Sequence, residues 1–414
     1  MSSLPLDGIR IADFGTVITG PWATHLLATM GAEVIKVESM RRPDGLRTLP
    51  IWADGIPGVN RSIFNVYNCS KKSCTIDLSR SEGAELARAL VKISDVVVEC
   101  FGFGVMERLG LGYAMLKELK PDIIMLSISG PGRTGPEKEY LCYGHTIHAY
   151  CGLTGLTGYL HGPPTGLGTT YTDPLTGLAG TFAVLTALYH RANTGEGQYI
   201  DLSMSEITMA QLPEAIMDYT MNQRERGRQG NRDDIMAPHN CYPCKGEDKW
   251  VAISVSNDEE WKAFCAAIGS PEWTRDEQFS DQYSRWQNQD ELDRLVGEWT
   301  RNYTSYEVME ILQKAGVAAG PSLNSDEIVT DPHLNERDFF VALDHPEVGK
   351  RVLTGRPWKL SAIPKANYHC APLFGEHNDY VFGELLGLSK DRIAELVKEK
   401  VIYERWYGWF NLQD

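Results

Sequence analysis

Asp173 is the carboxylate whose surroundings say most. It stands in Tyr171-Thr172-Asp173-Pro174, after a glycine-rich stretch and before a long apolar pattern of helical period. Asp followed by Pro is a common helix start, with Asp as the N-cap and Pro in the first turn. Spacing alone favours that capping role. The same place also suits chemistry. Helix-start amides and the helix dipole favour an ionised carboxylate, and such a group beside a roomy loop can act as a nucleophile. Other reactive residues carry less. Cys241-x-x-Cys244, with His239 nearby, lacks the second ligand pair of a structural zinc site, and packing is the expected role. His145-x-x-His148 lacks the Glu of the metalloprotease pattern and reads as structural. No GxxxxGK[ST] occurs, so a nucleotide phosphate loop is not supported. Gly102-Phe103-Gly104 follows an apolar strand and opens a helix, where amides could meet a phosphate; Arg108, one turn on, strengthens an anion site. The full dinucleotide spacing fails at Val105 and Met106, which removes the case for an NAD-dependent oxidoreductase.

The elements that would position these residues alternate. Ile9–Phe14, Ala32–Glu38, Asp95–Cys100 and Asp122–Ser129 read as strands, with helices at Gly20–Met30, Glu82–Lys92 and Tyr113–Leu119. Continuous β-branched strands separated by helices imply a parallel sheet covered on both faces, a doubly wound, Rossmann-like α/β fold. Glycines at 152, 155, 158, 162, 166 and 168 mark an irregular loop. A long helix follows, about Pro174–Arg191, with Leu175, Leu178, Phe182, Leu185 and Tyr189 at helical spacing, then a strand at Gln198–Met204. From Arg224 the chain turns polar, and residues 206–248 read as a linker region. A smaller α/β unit spans 249–330, with a strand at Trp250–Val255. Strand-like pieces at Phe339–Leu343 and Lys350–Leu353 lead to a last helix, Asp391–Lys400.

With 414 residues, two domains are expected. The chain is 43% hydrophobic and 23% charged, a composition that folds, and its formal net charge of -15 argues against nucleic-acid binding. A local basic pocket for an anionic small molecule is still compatible with that balance. No apolar run is long enough for a transmembrane helix and residues 1–13 show no secretory pattern. Nine cysteines, an odd number widely spread, suit reduced thiols in the cytoplasm.

Several segments in order resemble family III CoA-transferases, the group of the formyl-CoA:oxalate and carnitine CoA-transferases. They are Leu6–Phe14, Gly20-Pro21, Met30–Glu38, Asn68–Leu78, Asp95–Arg108, Ser127–Gly130, Thr172–Pro174, Thr194–Gln198 and Ala371–His377. Each is weak alone; the ordered set is specific. The resemblance implies a large Rossmann-like domain from residues 1–205 and 331–414, a small domain at 249–330, and two chains interlocked as a dimer. It implies that Asp173 attacks an acyl-CoA thioester, forming a mixed anhydride and then an aspartyl-CoA thioester, from which an acceptor carboxylate takes the CoA. Succinyl-CoA is a candidate donor. It also implies that coenzyme A, as acyl-CoA substrate, meets Val17, Ile76, Cys100, Phe101 and Arg108, with Arg108 suited to phosphate. Tyr143 would lie near the acyl group, and no metal is needed.

Three positions depart from the family pattern. Ser39 stands where Arg is frequent, Cys100 where Asn is common, and Gly144 where an acidic residue usually follows Tyr143. Altered CoA and acyl contacts would suit an unusual substrate, or one subunit of a hetero-oligomer, as in CoA-transferases of aromatic succinates such as benzylsuccinate. Two alternatives use the same fold. An acyl-CoA racemase would need an imidazole where Tyr143 stands, and a phenol of pKa about 10 exchanges protons poorly. A non-catalytic CoA-binding partner subunit would not need Asp173.

Overall fold

The computed structural model describes residues 4–406 apart from 50, 52, 57, 367 and 405. The chain forms two compact units: Met1–Leu153, Gly166–Gln223 and Asp338–Asp414 make one, Thr154–Thr165 and Arg224–Arg337 the other.

The larger unit is built on a six-stranded, all-parallel sheet of order β3-β2-β1-β4-β5-β6. Its strands are β1 (Arg10–Asp13), β2 (Glu33–Glu38), β3 (Lys72–Thr75), β4 (Val96–Glu99), β5 (Ile124–Ser129) and β6 (Tyr199–Ser203). Alternate strand residues feed opposite faces. Ala12, Ile35, Val97 and Met125 join one core, with Leu86 and Leu90 of a helix at Ser81–Lys92 and with Phe382 and Leu396 near the C-terminus. Ile11, Val34, Val96, Val98 and Leu126 join the other, with Leu27 and Val184. Those last two lie on α1 (Thr19–Thr29) and α3 (Thr172–Thr194); between them in the chain comes α2 (Gly144–Tyr150). Helices thus cover both faces, and the fold is the doubly wound Rossmann-like one.

β3 carries no apolar run, only Lys72-Ser73-Cys74-Thr75, and the sequence pattern does not announce it as a strand. It is nonetheless buried, because the returning C-terminal segment covers it. Asn378 Oδ1 accepts from Thr75 N at 3.0 Å, and Thr75 Oγ1 bonds both Tyr403 O and Tyr403 N. At the carboxyl ends of β1 and β2, six charged side chains are buried together: Asp13, Glu38 and Asp44 against Lys36, Arg47 and Lys71. Lys36 Nζ lies 2.9 Å from Asp44, Lys71 3.0 Å from Asp13 and Arg47 2.9 Å from Glu38. Burying charge is costly unless every charge is paired, and here the signs balance.

The smaller unit holds an antiparallel sheet of β7 (His239–Pro243), β8 (Trp250–Ser254) and β9 (Ala318–Ser322). Trp261, Phe264, Phe279 and Leu312 fill its core. Arg285, fully buried there, bonds Ala237 O and Asp258 and stacks on Trp261. Cys241 falls on β7, within the span read from sequence as a linker, and Cys244 is buried just beyond it. An antiparallel hairpin, β10 (Phe340–His345) and β11 (Gly349–Thr354), completes the larger unit. Among the described residues no helix is long and apolar enough to cross a membrane.

Candidate active site

Asp173 is not the cap of its helix, contrary to what the Asp-Pro pair suggests. α3 begins at Thr172, with Tyr171 at the cap position and no side-chain cap bond. A neighbouring helix braces this start. His148 of α2 is buried, and its Nε2 accepts the Thr172 N–H at 3.1 Å. That bond satisfies the first amide of α3, and Asp173, one residue into the helix, carries its side chain to Thr19 rather than to a helix-start amide. Asp173 is 9% exposed; its Oδ1 accepts from Thr19 Oγ1 at 2.9 Å, while Oδ2 has no hydrogen-bond partner among the described residues. Burial raises its pKa above the usual aspartate value, and the Thr19 bond opposes that rise. The carboxylate is thus held at one oxygen and buried without a hydrogen-bond partner at the other among the described residues.

Two glycines make this geometry possible. A Cβ at Gly144, the first residue of α2, would sit 2.3 Å from Asp173 Oδ2. A Cβ at Gly177, one turn after Asp173, would sit 2.8 Å from Thr19 O and 2.9 Å from Trp22. Gly177 therefore lets α1 lie close enough for its first residue, Thr19, to reach the carboxylate. His148 must carry its proton on Nδ1, since Nε2 is an acceptor. Burial lowers its pKa, and His145 close by adds to the effect, so the ring is neutral near pH 7. The His145-x-x-His148 pair meets edge to face, and among the described residues no cluster of three His, Cys, Asp or Glu could hold a metal ion.

Of the residues expected to meet CoA, Val17, Cys100 and Phe101 lie in the loops after β1 and β4, at the switch point where the strand order reverses and doubly wound sheets bind ligands, whereas Ile76 follows the edge strand β3 and Arg108 ends a short helix beyond. Val17, in the loop after β1, has φ +65°, a left-handed conformation that is strained for a β-branched residue. Asp44 holds it there, accepting Val17 N at 3.1 Å and Leu46 N at 2.9 Å through one oxygen. Cys100, after β4, ties the two loops together: its Sγ accepts from Thr16 N at 3.1 Å. Phe101 is half-buried, its N–H donating to Glu99 at 2.8 Å. Arg108 is exposed at the end of a helix of only four residues, Val105–Arg108, and forms no ion pair with the described residues. Ile76 follows β3, but its side chain lies wholly in the sheet core, packed near Gly83. Tyr143 is 79% exposed and precedes Gly144 at the start of α2.

Sequence reasoning did not single out Thr19, Gly177 or the role of His148. The available signal was small residues at 177 and 180 on an otherwise apolar helix, which mark a close helix approach. In the sequence Gly144 stands out only as a departure from the family pattern. Its smallness is what Oδ2 requires, and an acidic side chain there would press a second negative charge on the carboxylate.

A model of CoA-transferase family III matches residues 6–378, and the chain belongs to that family. It is 34% identical over 398 residues to succinyl-CoA–D-citramalate CoA-transferase of Chloroflexus aurantiacus, covering 96% of this chain and 98% of that protein. It is also 34% identical to the beta subunit of succinyl-CoA–L-malate CoA-transferase of that organism, over 97% and 99% of the two chains, and 32% identical to the alpha subunit, over 96% and 93%. Among solved structures, a CAIB/BAIF family protein from Brucella suis superimposes with a TM-score of 0.83 at 30% identity, covering 93% of this chain and all of that one.

Proposed function

We propose that this CoA-transferase works through a covalent aspartyl-CoA thioester on Asp173. The observation that carries the reading is the asymmetric carboxylate: buried, fixed at Oδ1 by Thr19, and free at Oδ2 beside a glycine. A buried carboxylate with one unshared oxygen is a desolvated nucleophile, and covalent transfer conserves the thioester's activation where water would discard it.

The acyl-CoA substrate binds over the switch point, against Val17, Cys100 and Phe101, with Ile76 supporting it only from within the sheet core and Arg108, which has no ion-pair partner among the described residues, on a phosphate. Tyr143 borders the acyl group. Succinyl-CoA is the first donor to try, since relatives are named for it, and a carboxylic acid is the acceptor. The working particle is a dimer, of identical chains or with a related subunit. α3 supports this by turning Phe182 and Tyr189 outward, both more than 70% exposed, an apolar stripe that suits a protein contact. The nine cysteines are all unpaired, which suits the cytoplasm. The larger and smaller compact units serve as its large and small domains.

The test is mass spectrometry after acid quench of the pure chain mixed with an acyl-CoA panel that includes succinyl-CoA. The expected result is a CoA-sized, hydroxylamine-sensitive adduct on the peptide holding Asp173, and none in D173A. Transfer by a well-folded D173A at the wild-type rate would refute the nucleophile. An adduct-free protein that exchanges the substrate α-proton in deuterated water would be a racemase instead.

A further inference from the structure

We propose that the Thr19 hydroxyl is a catalytic oxyanion donor, stabilising the negative charge that develops on Oδ1 of Asp173 each time its own carbonyl carbon is attacked. This rests on Asp173 being the nucleophile. Oδ2 attacks the thioester carbonyl carbon, the C–S bond breaks, and CoA leaves as a thiolate; Oδ2 now bridges an anhydride. The thiolate then adds to Cγ of Asp173, and the carbonyl electron pair moves onto Oδ1. Collapse breaks the Cγ–Oδ2 bond, and the donor acid departs as a carboxylate carrying that oxygen. The acceptor carboxylate adds to the same Cγ, the pair moves onto Oδ1 again, and the thiolate is expelled. Its attack on the acceptor's acyl carbon releases the new thioester and restores the aspartate.

Oδ1 is therefore the oxygen that bears an alkoxide twice in every turnover and never leaves. It is also the oxygen to which Thr19 donates at 2.9 Å. That distance is within the range at which a preorganised donor stabilises an oxyanion. The donor is fixed before the reaction begins. Thr19 is 5% exposed and opens α1, whose approach to α3 is set by Gly177. No reorganisation is needed as charge moves from the resting carboxylate to Oδ1. Oδ2, which has no hydrogen-bond partner among the described residues and lies beside Gly144, is left to make and break bonds. The two oxygens thus have separate tasks.

The experiment compares the full-length wild type with T19V, T19A and T19S, using the donor that gives the Asp173 adduct. kcat and KM are measured across pH, and adduct formation is followed by rapid acid quench. T19V should lower plateau kcat about 100-fold, with the acyl-CoA KM changed by less than about twofold. T19S, which restores the hydroxyl, should return most of the rate. T19A removes the hydroxyl without adding bulk and should match T19V, so it carries the test if the valine variant folds poorly. Loss of the bond should also move the acidic limb of the profile upward, because Thr19 favours the ionised aspartate; the plateau should stay low at high pH. Plateau kcat in T19V and T19A near wild type, with only the acidic limb displaced, would overturn the proposal, as would T19S as slow as T19V. A wild-type chain that transfers CoA without any Asp173 adduct would instead defeat the underlying nucleophile reading.

Discussion

A single missing carbon decides what Asp173 can do. Gly144 faces Oδ2 so closely that any side chain there would take the space the reacting oxygen needs. The expected outcome for G144A is a displaced carboxylate and loss of transfer by more than about tenfold, with a lowered melting temperature as well, since the new methyl would also crowd Thr170, whose Cβ would lie 3.1 Å away. Adduct mass spectrometry and thermal melting separate the two effects. At this scale the sequence was half legible. The residue type and the neighbouring Pro174 marked Asp173, but its burial and its bond to Thr19 join positions 154 apart and leave no local pattern. Its expected capping role failed because the helix starts one residue earlier, at Thr172, which puts Asp173 inside the first turn with its side chain on Thr19 of another helix.

Among the elements, α1 and α3 form the contact that aligns the site. Thr181 Oγ1 reaches Ala23 O at 3.2 Å, and Gly177 removes the bulk that would hold the helices apart. In G177A the new methyl meets Thr19 O and Trp22, so α1 must shift. The expected cost is about 1–3 kcal/mol of stability, read by urea unfolding, with a fall in kcat as Thr19 is drawn from Asp173. The strands that were legible are those with β-branched runs, such as Val96-Val97-Val98. β3 and β9 were not. β3 is polar and hidden by distant chain, and β9, Ala318–Ser322, contains Gly320 and Pro321, which normally mark turns. The short helix carrying Arg108 was anticipated, although its four residues give little dipole for a phosphate.

For the whole molecule, buried ionisable groups set how it tolerates acid. His25, 2% exposed on α1, has its pKa lowered by burial from 6.5 to about 4. Above pH 6.5 it is neutral in both states. Between 6.5 and 4 the unfolded chain gains a proton that the folded chain refuses, so stability falls as pH drops, by about 3 kcal/mol from this residue. His148, His345 and His377 are shifted the same way. Glu33, lowered from 4.5 to about 2 against burial by its bonds to Lys72, Tyr380 and Arg10, adds a second loss as pH falls from 4.5 towards 2. Urea midpoints should therefore decline from pH 6.5 downward, and H25Q should flatten the first part of that decline. The overall α/β architecture was legible because the central parallel strands β1, β2, β4 and β5, covered on both faces, carry apolar runs. The return of residues 338–414 to the larger unit has a consequence for how the chain is made. β3 is complete at residue 75, yet the segment that covers it, from about residue 374, emerges roughly 300 residues later. At ordinary ribosomal speeds that is about 15–60 s during which an open sheet edge waits on the nascent chain. The smaller unit, finished by residue 337, can close in that interval, so the site-bearing unit is the last to fold.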